Sequence, residues 1–164
     1  MKFHHVAFIV SDIDEALKLW RGVLGFELFR EGVMPDTPPS GEKPRMTQTL
    51  LDDIFGVSGA QSRFALLRHA EGAMIELQQP LNPRVEVTPS NELKYHNTGA
   101  HEVAFLVEDI ESWFEKVKAA GYRLNTDYIW PWAVNGKSFL FHDQDGNMIQ
   151  FNQQTQYGTP SWKA

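Results

Sequence analysis

The run His5-Val6-Ala7-Phe8-Ile9-Val10-Ser11-Asp12-Ile13-Asp14 returns later in the chain as Glu102-Val103-Ala104-Phe105-Leu106-Val107-Glu108-Asp109-Ile110-Glu111, with hydrophobicity matched at every apolar position. A repeat of this kind constrains the fold before anything else does, because each copy is one supersecondary unit. Both copies open with a β-rich run and then meet an Asp, Asp12 or Asp109, whose carboxylate can cap a following helix. Ile13, Ala16, Leu17 and Trp20 recur at helical spacing, as do Ile110, Trp113, Phe114 and Val117. Each helix therefore carries one apolar stripe that packs on a sheet. The helices are expected to close at Val23-Leu24-Gly25-Phe26 and Ala119-Ala120-Gly121-Tyr122, where glycine supplies the C-terminal cap.

Outward from the repeat, β-prone runs follow each helix: Phe26 to Arg30, Arg63 to Arg68 and Met74 to Gln78 in the first copy, then Tyr122 to Tyr128, Ser138 to His142 and Met148 to Asn152 in the second. Met74-Ile75-Glu76-Leu77 is echoed by Met148-Ile149-Gln150-Phe151. Each half is thus strand, helix, then three strands, an α+β fold of two βαβββ modules. Module one spans residues 1–80, a Pro-containing linker 81–99, module two 100–154, and a loosely held tail 155–164. Glu31 to Gln61, with Pro35, Pro38, Pro39 and Pro44 ahead of an apolar-periodic stretch from Met46 to Phe55, reads as a loop plus a short helix.

Composition excludes several functions. The 164 residues are 42% hydrophobic and 22% charged, ordinary for one globular domain. Fifteen Lys+Arg against 21 Asp+Glu give a formal charge of −6 with no basic stripe, which argues against nucleic acid and anionic membranes as partners. No apolar run is long enough for a bilayer span and no signal-like segment stands at the start, so a cytoplasmic location is expected. With no cysteine, any metal must be held by His, Asp, Glu, Gln or backbone oxygen.

The paired repeat, with His before Val-Ala-Phe, a capping Asp, a Gly after the helix, Ile-Glu-Leu in the last strand and Asp143-Gln144-Asp145-Gly146-Asn147 before its second copy, resembles the vicinal oxygen chelate superfamily over roughly residues 3 to 153. That superfamily includes glyoxalase I, methylmalonyl-CoA epimerase, extradiol dioxygenases and the fosfomycin and bleomycin resistance proteins. The resemblance implies sheets curled around a cavity that holds one divalent metal ion, Fe, Mn, Ni or Zn, with ligands from the first and last strands of each half. Carried over by position, the set is His5, Glu76, Glu102 and Gln150. His101 is the alternative to Glu102, because a bulge at Ala100 would exchange the two faces of the strand.

The resemblance further implies a lyase or isomerase acting on a small vicinal-oxygen substrate through a metal-bound enolate or enediolate, with Glu76 or Glu102 as the base. Alternatives are an extradiol-type ring-cleaving dioxygenase, which would need His101 turned inward, and a metal-free binding or resistance protein for an aromatic ligand. The run Tyr128-Ile129-Trp130-Pro131-Trp132 offers stacking surfaces, so Tyr128, Trp130 and Trp132 are candidate contacts for an aromatic or hydrophobic small molecule. His4, His69, His96 and His142 are read as non-ligands, and the Asp143 to Asn147 run as a turn. By analogy with relatives, a homodimer is expected.

Overall fold

Alternation of exposed and packed residues begins at the first strand. His5, Ala7 and Ile9 face outward while Val6, Phe8 and Val10 turn toward a helix. The computed structural model describes residues 3–89, 91–132 and 136–154, so the expected tail at 155–164 lies outside the described residues. The chain divides into two units, Met1–Val87 and Thr88–Ala164.

The first unit runs β1 (Val6–Ile9), α1 (Ile13–Leu17), β2 (Glu27–Met34), α2 (Gln48–Phe55), β3 (Gln61–Arg68) and β4 (Met74–Asn82). Its sheet has the order β1-β4-β3-β2, with β1 parallel to β4 and the other pairs antiparallel. Asp12 starts α1 by accepting from the N–H groups of Asp14 and Glu15 at 2.9 and 3.2 Å. The helix then widens into a π-helical stretch, Lys18–Val23, in which Leu24 N–H donates to the Leu19 carbonyl five residues back at 2.9 Å. The wider turn rotates the stripe. Leu19, not the expected Leu17, is fully buried beside Ile13, Ala16 and Trp20. Trp20 lies against Phe8 of β1 and Phe26 beyond the helix, with ring centroids 5.4 Å apart in both pairs.

The insertion between β2 and β3 is shorter than expected. β2 continues through Glu31 to Met34, because Gly32 and Val33 pair with Phe64 and Arg63 of β3. Thr47 caps α2, and Leu51 buries with Met34 and Ala60 in a small core of its own.

The second unit runs β5 (Glu102–Leu106), α3 (Ile110–Ala119), β6 (Arg123–Leu124), β7 (Trp130–Trp132), β8 (Gly136–His142) and β9 (Met148–Gln154). Its sheet has the order β5-β9-β8-β6, and β7 pairs with β8 as well. The strand expected over Tyr122 to Tyr128 is only Arg123–Leu124, and the Trp-Pro-Trp run read as a stacking surface is itself a short strand. Both pieces lie along the same edge of β8, which makes them one edge strand interrupted between Asn125, whose N–H reaches the Leu140 carbonyl at 2.8 Å, and Trp130. Pro131 is tolerated at a sheet edge, where no partner needs its missing N–H. Phe139, Phe141 and Phe151 interlock edge to face or tilted, and Trp113 and Phe114 of α3 close over them.

The repeat extends to side-chain bonds. Gln79 of β4 accepts from the Ile13 N–H at 3.2 Å, and Gln153 of β9 accepts from the Ile110 N–H at 2.8 Å, so the last strand of each unit holds the first turn of its helix. Arg63 of β3 pairs with Asp14 of α1 at 2.9 Å, and Lys137 of β8 pairs with Glu111 of α3 at the equivalent position. Among the described residues no helix is long and apolar enough to cross a membrane.

Candidate functional site

Pairing of β1 with β4 sets Ala7 beside Glu76, so the outward face of β1 and the Glu76 side of β4 are one surface. His5 precedes β1 by one residue, and its Nε2 lies 3.1 Å from Glu76 Oε2. The two side chains keep 34% and 19% of their exposure, enough for solvent or a small solute to reach both. Glu76 stands between the buried Ile75 and Leu77, and its other oxygen, Oε1, accepts from Gln78 Nε2 at 2.8 Å. His4 adds a second imidazole, with Nδ1 2.6 Å from His5 Nδ1, so one of the two rings donates to the other.

The second unit repeats the arrangement. β5 and β9 set Glu102 beside Met148 and Ala104 beside Gln150, which puts Glu102 and Gln150 on one face. Gln150 is 8% exposed and its Oε1 accepts from Asn152 Nδ2 at 3.0 Å, the counterpart of the Gln78 bond to Glu76. Glu102 is exposed at the strand's start. His101 lies before β5, half-buried, with its ring centroid 6.0 Å from that of Tyr95 and its Nε2 without a hydrogen-bond partner among the described residues. Trp130 stands opposite Ser138 and Trp132 opposite Gly136, so both indoles project on the Gln150 side of the sheet. Tyr128 is exposed in the break of the edge strand, where its carbonyl accepts from Thr126 Oγ1 at 2.6 Å.

The structure thus brings His5 to Glu76, and assigns Glu102, Gln150, Trp130 and Trp132 to one sheet face. Among the described residues no three His, Asp or Glu side chains converge. His5 and Glu76 nevertheless have the spacing of two ligands of one divalent ion. Two donors bound cis on an octahedral ion at ~2.1 Å stand ~3.0 Å apart, and His5 Nε2 and Glu76 Oε2 are held at 3.1 Å. An open cleft of about 870 Å³ on the helical side of the first unit, with Asp14, Lys18, Arg21 and Glu27 in its lining, contains none of these residues.

The chain matches the family model of the Glyoxalase/Bleomycin resistance protein/Dioxygenase superfamily over residues 4–141. It belongs to that superfamily. Solved structures of superfamily proteins share its fold: a glyoxalase family protein from Bacillus cereus at 18% identity and TM-score 0.75, covering 93% of both chains. The genomically encoded fosfomycin resistance protein FosX from Listeria monocytogenes, complexed with Mn(II) and sulfate, matches at 15% identity and TM-score 0.58 over 94% of this chain and 93% of its own. A glyoxalase/dioxygenase from Nostoc punctiforme matches at 17% identity and TM-score 0.61 over 94% and 92%. No curated protein sequence matches the chain.

In this superfamily member Gln78, Asn152 and Ser138 are site-face residues that the sequence alone did not single out, and His142, read as a non-ligand, shares their sheet side with Asn152 and Ser138. The spacing Glu76-x-Gln78 and Gln150-x-Asn152 was a usable signal, since residues two apart on a strand share a face. His142 stands opposite Met148, on the Gln150 side, and is 3% exposed. Burial pushes its pKa down, the Arg123 guanidinium on the neighbouring strand pushes the same way, and the Gly146 carbonyl facing Nδ1 opposes them. Burial likewise pushes the Asp143 carboxyl up, opposed by hydrogen bonds from the Asn147 side chain and from the backbone N–H groups of Asn147 and Asp145. These bonds make the Asp143 to Asn147 run a tight turn.

Proposed function

We propose that the chain is a glyoxalase-like metalloenzyme, a lyase or isomerase that moves a proton on a small substrate bearing two neighbouring oxygens and stabilises the enolate or enediolate that results. The observation that carries the reading is the His5–Glu76 pair, two donor atoms 3.1 Å apart on an exposed sheet face. His5 and Glu76 from the first unit, with Glu102 and Gln150 from the second, are the residues that would hold one divalent ion. One imidazole, two carboxylates and an amide make an oxygen-rich set suited to Fe²⁺, Mn²⁺ or Ni²⁺ at least as well as Zn²⁺. When bound, the ion supplies Lewis-acid polarisation of a substrate carbonyl.

The chain's own groups do the rest. Gln78 holds Glu76 Oε1, which fixes the carboxylate plane and leaves Oε2 turned to His5. Glu76 is the candidate base that takes a proton from the carbon next to a polarised carbonyl and returns it to the neighbouring atom. Glu102, exposed at the start of β5, is the second candidate. Glu76→Gln preserves shape and removes the base. In Mn²⁺-supplemented protein it is expected to lower kcat on a vicinal-oxygen substrate by about 10²-fold or more and to stop exchange of the substrate C–H with D₂O. Undiminished turnover would remove Glu76 from the role.

Ring cleavage would need His101 as a second imidazole ligand, and the register of β5, which gives the Gln150 side to Glu102, favours the lyase or isomerase reading over it. Trp130 and Trp132 on the Gln150 side of the sheet favour a second reading, a metal-free protein that binds an aromatic ligand. Retention of an aromatic ligand by protein stripped of metal with EDTA, without turnover in its metal-loaded form, would select it.

A further inference from the structure

Three buried side-chain atoms on the Gln150 side of the second sheet have no hydrogen-bond partner among the described residues: Ser138 Oγ, Asn152 Oδ1 and His142 Nε2. Register puts them on one surface, since β8 pairs with β9 as Ser138 to Asn152, Leu140 to Gln150 and His142 to Met148. Ser138 is fully buried, His142 is 3% and Asn152 9% exposed. Native folds leave few buried polar atoms unpaired, and three on one sheet face call for a cause.

The chemistry of the three is specific. The Asn152 amide nitrogen is committed to Gln150 Oε1. The same polarity is compulsory in the first unit, where Gln78 faces a carboxylate that only accepts, and the repeat carries it across. Asn152 Oδ1 is therefore an acceptor. His142 Nδ1 faces the Gly146 carbonyl at 3.2 Å, and because a carbonyl only accepts, the proton is on Nδ1 and Nε2 presents a lone pair. Ser138 Oγ turns to suit its neighbour. The charged groups in register with His142 are Arg123 on β6 and, across Met148, Glu102 on β5.

We infer that this face is a ligand subsite that reads neutral hydrogen-bond donors, the hydroxyl or amide N–H groups of a ring-bearing molecule, with Trp130 beside Ser138 as the flat wall for the ring. Carboxylates and phosphates only accept, and meet two acceptor lone pairs here. Ser138 and His142 are about 13 Å apart along β8, so one ring engages the Ser138–Asn152 row and His142 serves a second donor group. The inference deepens the proposed function by naming the ligand chemistry, and it rests on that reading only in taking this face as the substrate side; no metal is needed for it.

The test uses phenol, anisole and benzoate as probes of one ring with a donor, no donor and an anion, titrated into full-length protein in EDTA. Binding is followed by the side-chain amide NMR signals of Asn152 and the indole signal of Trp130. Phenol is expected to bind about tenfold tighter than anisole, the usual scale for a lost bond to a buried polar group, with benzoate weaker still. Ser138→Ala should reduce the phenol preference while leaving Tm equal or higher, because a hydroxyl kept for structure would cost stability on removal and one kept for a ligand would not. Asn152→Leu should abolish the preference, and carries the test by itself if Ser138→Ala does not fold. Equal binding of phenol and anisole, tightest binding of benzoate, or a Ser138→Ala protein that loses stability and keeps the preference would overturn the inference. Because EDTA is present throughout, a failure of metal binding leaves the phenol result readable, and a failure here leaves the metal reading standing.

Discussion

Gln78 Nε2 donates to Glu76 Oε1 at 2.8 Å, and the same bond recurs one repeat later from Asn152 Nδ2 to Gln150 Oε1 at 3.0 Å. In both units an amide two residues further along the last strand fixes the direction of a proposed ligand oxygen. Supporting bonds of this kind set how well a site holds its ion, typically by 10–100-fold in affinity. Gln78→Leu is therefore expected to weaken Mn²⁺ binding by about 10-fold or more while the fold survives, because Gln78 is only part-buried. Calorimetric titration of the variant against wild type checks this; unchanged affinity would mean that the bond merely tidies the sheet.

A second pair of glutamines acts on stability. Gln79 and Gln153 accept from the first helical N–H of α1 and α3, so each ties a helix start to the strand beneath it. Gln79→Ala and Gln153→Ala are each expected to cost about 1 kcal/mol, the usual worth of a hydrogen bond at a helix start. Urea unfolding of both variants measures this, and a loss confined to one of them would break the equivalence of the two repeats.

The path from sequence to these bonds explains what was legible. The first strands and their faces followed from period-two alternation repeated twice, and Asp12 and Asp109 declared the helix starts. The Leu17-for-Leu19 exchange was hidden, because the π-helical stretch Lys18–Val23 leaves no mark in a 3.6-residue pattern. β7 was hidden by composition, since Pro131 between two Trp residues argues against a strand unless its edge position is known. Glu76 and Gln150 were placed at equivalent positions because their strands, β4 and β9, echo each other. Ser138 went unnoticed and the neighbours of His142 were hidden, because a residue's partner across a sheet depends on register, which one strand alone does not carry.

His142 also sets a pH dependence. Burial holds its folded-state pKa below the ordinary 6.5, so the unfolded chain takes up a proton first as the pH falls. The stability held by neutral His142 is complete above about pH 6.5, declines as the pH drops toward the lowered folded value, and levels off beneath it. Asp143 has the opposite sign: with its carboxyl raised, folding gains as the pH falls from that raised value toward 3.8. Tm followed from pH 8 to pH 5 should therefore fall more steeply for wild type than for His142→Phe. Parallel profiles would show that His142 titrates alike in both states.

The central claim is a divalent ion held by His5, Glu76, Glu102 and Gln150, and elemental analysis of untagged protein tests it most directly. Wild type, Glu102→Ala and His101→Ala are reconstituted in parallel with Fe²⁺, Mn²⁺, Ni²⁺ and Zn²⁺ and then desalted. The account predicts about one ion per chain in wild type and in His101→Ala, and its loss in Glu102→Ala. No retained metal with any of the four ions, or loss in His101→Ala alone, would contradict it.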